Sequence, residues 1–220
     1  MFNENKVLCL IPARGGSKGI KNKNIYPILD KPLILWTILQ AKQSKYIDDI
    51  FVSTDCKEIG SVCEQSGIEI IERPRNISGD NDSSESALVH SINFLKNERG
   101  LSYDLVVFLQ CTSPLRKKSD IDNSIENFYN NQFDSLMSIT EFDDLTLWSK
   151  ENGELKSINF NYENRGMRQN RLSNLVENGS IYLFKPEIIF KYNNRLGGSI
   201  GTYKMDFWQT WEIDTYEEID

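Results

Sequence analysis

Histidine occurs once in this chain, and its four cysteines, Cys9, Cys56, Cys63 and Cys111, form no C-x-x-C pair. That scarcity argues against a zinc site and leaves reduced thiols in a cytoplasmic setting as the expectation. The lone His90 lies in "ALVHSINFLKN", whose apolar residues recur at helical spacing, so a structural role is expected for it. No apolar run approaches the ~20 residues of a membrane span, so no membrane partner is expected. The opening "MFNENKVLCLIPAR" has no basic segment ahead of a long apolar stretch, and no export signal is expected either. Basic residues are in deficit: 25 Lys and Arg against 32 Asp and Glu leave a net charge of -7. That balance argues against nucleic acid, whose affinity comes mainly from neutralising phosphates. Internal repeats and low-complexity tracts are also missing.

What is present is an alternation of short apolar runs and helix-length amphipathic segments. Val7–Ile11 reads as a buried strand ended by Pro12, and "KPLILWTILQAKQS" as a helix. "IDDIFVSTD" holds a second strand, with Asp55 and Glu58 spaced to cap the next helix. "GIEIIE", "YDLVVFLQ" and "DSLMSIT" are further strands, separated by helices over residues 84–97 and 119–131. This rhythm implies βαβ units in a mostly parallel sheet, and the near-continuous apolar strands imply helices on both faces. The expected architecture is a Rossmann-like three-layer α/β/α sandwich, one domain over 1–220 with enough chain for a substantial core. The rhythm breaks over residues 142–176, rich in Asn, Arg, Tyr and Glu, with five basic and five acidic residues. A long segment without clear structure is expected to serve function or pack on a partner. Order returns with "GSIYLF", a short helix from Pro186, and "GTYKM"; Thr215 and Glu218 then form a capping-box pattern just after Asp214.

Loops that follow parallel strands gather on one edge of the sheet, where ligands bind. Four unusual stretches are therefore expected to meet there: "ARGGSKGIKNKN" after strand one, "RPRNISGDNDSS" after strand three, "QCTSPLR" after strand four, and Asp214. Glycines allow backbone N–H groups close to an anion, and the arginine and lysines neutralise it, so a phosphorylated ligand is expected in this acidic protein. "GGSKG" matches neither the G-x-x-x-x-G-K-[ST] phosphate loop nor the G-x-G-x-x-G dinucleotide fingerprint. A flexible turn of solvated charges is the competing reading of the loop. A polyphosphate needs a divalent cation, usually Mg²⁺ on one or two carboxylates. Asp214 and Glu212, two apart on a strand-like stretch and so on one face, are the candidates, against a role for Asp214 as a mere helix cap. "DID" at 120–122 reads as helix N-terminal charge.

The run "IPARGGSKGIKNKNI" resembles the signature loop of the acylneuraminate cytidylyltransferases, the synthetases of CMP-sialic acid and of related CMP-nonulosonic acids. "VSTD", "ERP", "SGDNDSS", "LQCTSPLR", "ENGSIYLF" and "EIDT" follow in that family's order, so the resemblance covers nearly the whole chain. It implies a fold of the nucleotide-diphospho-sugar transferase type. The implied reaction joins CTP and a 2-keto-3-deoxy nonulosonic acid into a CMP-sugar with release of pyrophosphate, aided by Mg²⁺ or another divalent cation such as Mn²⁺. By motif position, Arg14, Gly15, Gly16, Ser17, Lys18 and Lys23 would cradle the triphosphate, with Arg14, Lys23 and Asp214 as the catalytic candidates. Asn24, Arg73 and Ser84 match cytidine-recognising positions. Gln110 matches a residue between nucleotide and sugar, and Arg168, Asn178 and Tyr182 match sugar-side positions. Asn178–Gly179 has a competing reading as a tight turn. In the family the stretch matching 142–176 reaches a second subunit, which implies a homodimer.

The departures lie on the sugar side. Glu212 stands where many sialic-acid members have aspartate, "NNRLGG" occupies the region of a phenylalanine pair, and "DLTLW" replaces an expected basic residue. CTP use is thus better supported than sialic acid itself, and legionaminic, pseudaminic or another nonulosonic acid is a real alternative. The Kdo cytidylyltransferases carry Arg-Leu-Pro-Gly-Lys where this chain reads "KGIKNKN". A nucleotide-sugar glycosyltransferase would typically place a D-x-D motif where this chain reads "LQCTSP".

Overall fold

Val7, Cys9 and Ile11 alternate with Leu8 and Leu10, and all five are buried, so the first strand needs cover on both of its faces. The computed structural model of the chain describes residues 2–142, 145–167 and 174–219. They run β1 (Val7–Pro12), a small hairpin of β2 (Pro27–Ile28) and β3 (Lys31–Pro32), α1 (Leu33–Lys42), β4 (Asp49–Thr54), α2 (Lys57–Gln65), β5 (Glu69–Glu72) and α3 (Ser84–Arg99). Then come β6 (Leu105–Leu109), α4 (Asp120–Asn130), β7 (Ser135–Phe142), β8 (Trp148–Glu151), β9 (Glu154–Ser157), β10 (Asn174–Phe184), α5 (Pro186–Tyr192) and β11 (Ile200–Lys204).

Seven strands form one sheet in the order β11-β7-β10-β6-β1-β4-β5. Pairing is parallel throughout except at β10, which runs antiparallel to both β6 and β7. Val7, Cys9 and Ile11 pack against α1, α2 and α4 on one face, while Leu8 and Leu10 meet α3 and α5 on the other. The three-layer, mostly parallel architecture read from the sequence is therefore the observed one.

Local chemistry explains the element ends. Ser83 caps α3 by accepting the Ser86 N–H, and Gly100 closes it in the left-handed conformation. Asp120 and Asp122 sit in the first turn of α4 and are buried, accepting hydrogen bonds from Lys117 N, Gln209 Nε2, Ser44 Oγ and Lys45 N. Both acids of "DID" thus lie at the helix N-terminus as expected, and their hydrogen bonds tie α4 to neighbouring segments. His90, on α3, is held off protonation by burial and by Arg73, in keeping with a structural residue.

Two expectations and one competing reading need correction. Asp55 does not cap α2: Cys56 holds that position, and Asp55 Oδ1 accepts the Gly15 N–H at 2.9 Å instead. The capping spacing was present, but the loop after β1 competes for the same carboxylate. Residues 142–176 are not a structureless excursion, because β8 and β9 form a hairpin and β10 already begins at Asn174. The hairpin turns on Asn152 and Gly153, both at positive φ, as a two-residue Asn-Gly turn requires. Asn178–Gly179 is a bulge inside β10 rather than a turn between elements, with the register to β7 shifting between Glu177 and Tyr182.

Arg116 fixes this bulge relative to the loop after β6. Its guanidinium is buried and donates to Ser180 O and Gln110 O, each at 2.7 Å, and to Thr37 Oγ1 and Gln40 Oε1 of α1 at 3.2 and 3.0 Å. Burial lowers its pKa to about 10, which leaves it charged at neutral pH. Removing it would leave the buried Ser180 carbonyl without a donor and Gln110 O with only the longer contacts from Thr37 Oγ1 and Ser113 N, each at 3.4 Å. Arg116→Met is expected to cost about 3 kcal/mol of unfolding free energy in urea titration, by the usual penalty for unsatisfied buried groups. A loss below about 1 kcal/mol would show that these bonds are replaceable.

Candidate active site

The loop after β1 is braced from inside. Asn24 is buried and donates to Arg14 O at 2.9 Å, and Gly15 is tied to Asp55 as described. The cations then spread outward to carboxylates on other elements. Arg14 Nη1 donates to Gly79 O and Asp80 Oδ1 at 2.8 and 2.9 Å, and Lys18 Nζ lies 2.7 Å from Asp80 Oδ2. The hydrogen bond from Lys18, with a lesser one from Arg14, holds the Asp80 carboxyl below the usual range. Lys23 Nζ donates to Asp214 Oδ1 at 2.6 Å. Ile213 N–H in turn donates to Thr112 O at 2.8 Å, beside β6. The four stretches expected at one rim thus meet there.

Gly19 is required by that meeting. A Cβ at this position would lie 2.1 Å from the Asp214 carbonyl oxygen, a backbone atom that cannot swing away. Asp214 itself is seated by Glu218, whose Oε2 accepts the Asp214 and Thr215 N–H groups at 2.7 Å, so the expected capping box is formed.

Two cavities flank this junction. The first, about 240 Å³, is lined by Arg14, Ser17, Lys18, Lys23, Asn24, Arg73, Ser84 and Gln110, all singled out in the sequence, together with Asp82, Ser83, Phe108, Cys111 and Thr112. Gly15 and Gly16 line an adjoining open hollow, which shares Arg14 with the first cavity. Arg73 is buried and held by Ser53, through Nη2 to the carbonyl at 2.6 Å and Nε to Oγ at 3.1 Å. Burial pushes the Cys111 thiol up to about 12, so it supplies no thiolate nucleophile at neutral pH.

The second cavity, about 490 Å³, is of ordinary size for a small-molecule site. Gln110, Glu177, Asn178, Tyr182, Trp211 and Glu212 are among its walls. Gln110 lines both cavities. Asn178 is buried with its amide engaged, accepting from Ser138 Oγ at 2.6 Å and donating to Thr140 Oγ1 at 3.3 Å. Gly179 has φ +67°, and a Cβ there would sit 1.9 Å from Glu212 Oε1. Glu212 accepts from Ser113 Oγ at 3.0 Å; burial, with Asp214 adding, raises its pKa. The Tyr182 hydroxyl donates to Glu177. Arg168, the remaining sugar-side candidate, lies outside the described residues.

Asp80, Ser113, Arg116 and Glu177 carry much of this geometry and were not among the expected site residues. Asp80 had a signal in "DND" after strand three, and Glu177 directly precedes Asn178. Arg116 closes the quoted "QCTSPLR", but nothing local shows that its guanidinium turns back to the carbonyls of Gln110 and Ser180.

A family model described as Cytidylyltransferase matches residues 8–196. The chain belongs to the cytidylyltransferase family. Post-translational flagellin modification protein B of Campylobacter coli is 31% identical over 227 residues, covering 98% of this chain and 92% of that protein. Pseudaminic acid cytidylyltransferase of Campylobacter jejuni is 40% identical over 139 residues, 63% of this chain and 60% of the relative. N-acylneuraminate cytidylyltransferase of Escherichia coli is 26% identical over 95% of this chain, which spans only 49% of that relative's length. Among solved structures, CMP:2-keto-3-deoxy-manno-octonic acid synthetase complexed with CTP superposes with a TM-score of 0.70 at 17% identity. That match covers 96% of this chain and 93% of the other, and it supports the fold.

Among the described residues no group of three or more His, Cys, Asp or Glu side chains is arranged to hold a metal ion. Asp214 lies near enough to Glu212 to add to burial in raising its pKa, so the two carboxylates are oxygen donors of the type Mg²⁺ takes together with phosphate oxygens and water. For the loop geometry the sharpest test is Gly19→Ala. It is expected to weaken CTP binding at least about tenfold by calorimetry and to lower the melting temperature, because the loop or the Asp214 segment must shift to admit the Cβ. Unchanged affinity would show that the approach of Gly19 to Asp214 does not shape the site.

Proposed function

We propose that this protein couples CTP to a nonulosonic acid, giving a CMP-sugar and diphosphate. One observation carries the reading: Gln110 lines both cavities, the first walled by cations and the second by hydrogen-bonding groups. CTP would take the first cavity, with Arg14, Ser17, Lys18 and Lys23 on its phosphates and Asn24, Arg73 and Ser84 toward the cytidine. The acceptor would take the second, beside Asn178 and Tyr182. Its anomeric hydroxyl gives up its proton to solvent as its oxygen attacks the α-phosphorus; the new P–O bond forms as the α–β bridging bond breaks, and diphosphate departs with its charge on Arg14 and Lys23. The chemistry asks for alignment and electrostatic stabilisation rather than a covalent enzyme intermediate.

Phosphate binding would replace carboxylates already in place. Arg14 and Lys18 would exchange Asp80 for phosphate oxygens, and Lys23 would exchange Asp214. Asp214, so released, and Glu212 would hold Mg²⁺, which neutralises charge on the triphosphate when bound.

The acceptor class has two forms. The 40% identity to pseudaminic acid cytidylyltransferase over 139 residues favours that sugar, and the longer 26% match favours N-acylneuraminate. We further propose a cytoplasmic, single-domain enzyme acting as a homodimer through residues 142–176. Trp148, Leu155 and Ile158 are exposed on this segment, an apolar surface that a second copy would cover.

Purified protein with CTP, Mg²⁺ and a panel of nonulosonic acids is expected to release diphosphate with at least one of them, and chelation of divalent cations is expected to stop it. No release with any acceptor refutes the assignment. Lys23→Ala and Asp214→Ala are each expected to cut turnover about 100-fold, the scale of one well-placed electrostatic group. Near-normal turnover of either variant would remove that residue from the site. Leu155→Glu with Ile158→Glu is expected to shift sedimentation from dimer to monomer; an unchanged dimer places the interface elsewhere.

A further inference from the structure

Phe108 of β6 and Tyr182 of β10 are directly opposite in the sheet register, and their rings stack with centroids 5.4 Å apart. Phe108 lines the first cavity and Tyr182 the second. Arg195 covers this stack, its guanidinium carbon 4.1 Å from the Tyr182 ring centroid and 5.5 Å from that of Phe108. A planar guanidinium on an aromatic face is a contact that lysine reproduces poorly.

The chain around Arg195 is built to aim it there. Helix α5 ends with Asn193 in the left-handed conformation, Asn194 Oδ1 accepts the Leu196 N–H at 2.8 Å, and Leu196 packs into the core on the same face of the sheet. The guanidinium then lies 2.6 Å from Glu85 Oε1 and 3.7 Å from Glu177 Oε1. The Arg195 and Glu85 side chains are only 19% and 17% exposed, so salt screens their pair weakly. Arg195 Nε is buried with no hydrogen-bond partner. The side chain is thus held by its face and its two carboxylates rather than by a full set of hydrogen bonds.

The ends of this arrangement belong to different elements. Glu85 lies in the first turn of α3, next to Ser84 of the first cavity, while Glu177 lies on β10 and lines the second. Glu177 also accepts the Tyr182 hydroxyl. Without the guanidinium, Glu85 would lose its ion pair, Tyr182 its cover, and Glu177 the charge beside it.

We infer that Arg195 is a positioning residue for the acceptor cavity: anchored on Glu85, it fixes the Tyr182 ring and the Glu177 carboxylate in the orientation that receives the acceptor. This rests on the second cavity being the acceptor site.

The test compares wild type with Arg195→Met, Arg195→Lys and Glu85→Gln, each first checked for a folded state by its melting transition. Arg195→Met is expected to raise the acceptor KM about tenfold while kcat and the Kd for CTP alone stay within about twofold, the pattern of lost uniform binding on one substrate. Arg195→Lys, which keeps the charge and loses the planar face, is expected to raise it about threefold. Glu85→Gln is expected to raise it about fivefold, although Glu85 lines neither cavity. A general loss of packing would instead weaken CTP and acceptor alike, and that result, or an unchanged acceptor KM, overturns the inference. Crystal structures of wild type and Arg195→Met give a readout free of turnover: the Tyr182–Glu177 contact is expected to break, and its persistence with an unmoved ring overturns the inference. Should the wild type activate no nonulosonic acid, the acceptor reading fails on its own, and the crystal comparison still decides whether Arg195 sets Tyr182 and Glu177.

Discussion

A single buried guanidinium decides how the two halves of the site face one another. Arg116 has no carboxylate partner among its hydrogen bonds; it is met by the carbonyls of Gln110 and Ser180 and by two side chains of α1. A buried charge is tolerated only when its donors are saturated, and here the saturating acceptors are the backbone of the loop after β6 and of the bulge in β10. Gln40 adds to the clamp, donating to Pro114 O at 2.6 Å. The loop carrying Gln110 and the bulge carrying Asn178 and Gly179 therefore cannot shift independently. The sharing of Gln110 by both cavities follows from that restraint.

Around this fixed centre, charge is balanced locally. An acidic protein gathers cations in one loop, and each of the principal ones finds a carboxylate from another element: Arg14 and Lys18 at Asp80, Lys23 at Asp214. These pairs are partly exposed, so they contribute little to stability, but they keep the loop from repelling itself. The second cavity has the opposite character, with Glu177, Glu212 and Glu218 among its walls. Glu212 is buried enough to disfavour its charged form, and Glu177 shares a guanidinium with Glu85.

Most of the sheet was legible because its central strands are short apolar runs buried on both faces, which stand apart from the longer segments with helical period. The rim was legible for a topological reason, since loops after parallel strands share an edge whatever their composition. What escaped reading depended on partners far along the chain. Asp55 looked like a helix cap from its neighbours alone, yet Gly15, 40 residues away, takes its carboxylate. The β8–β9 hairpin is mostly exposed and lacks apolar alternation, although "NG" at 152–153 was the available turn signal. Asn178–Gly179 offered the same dipeptide and became a bulge, because β10 continues on both sides of it. Arg116 and Arg195 are long side chains whose contacts no local pattern encodes.

The reversed strand has a consequence for how the molecule comes into being. β10 lies between β6 and β7, so neither of these finds its lateral partner on that side until residues 174–184 have emerged from the ribosome. Before that moment the nascent chain holds a four-stranded ribbon of β6, β1, β4 and β5 and a lone β7, each with a bare row of amides and carbonyls. Such rows are open to pairing with neighbouring chains. Closure of the sheet and creation of the second cavity therefore both wait for β10 and the chain beyond it, and a molecule stalled earlier has no place for the second ligand.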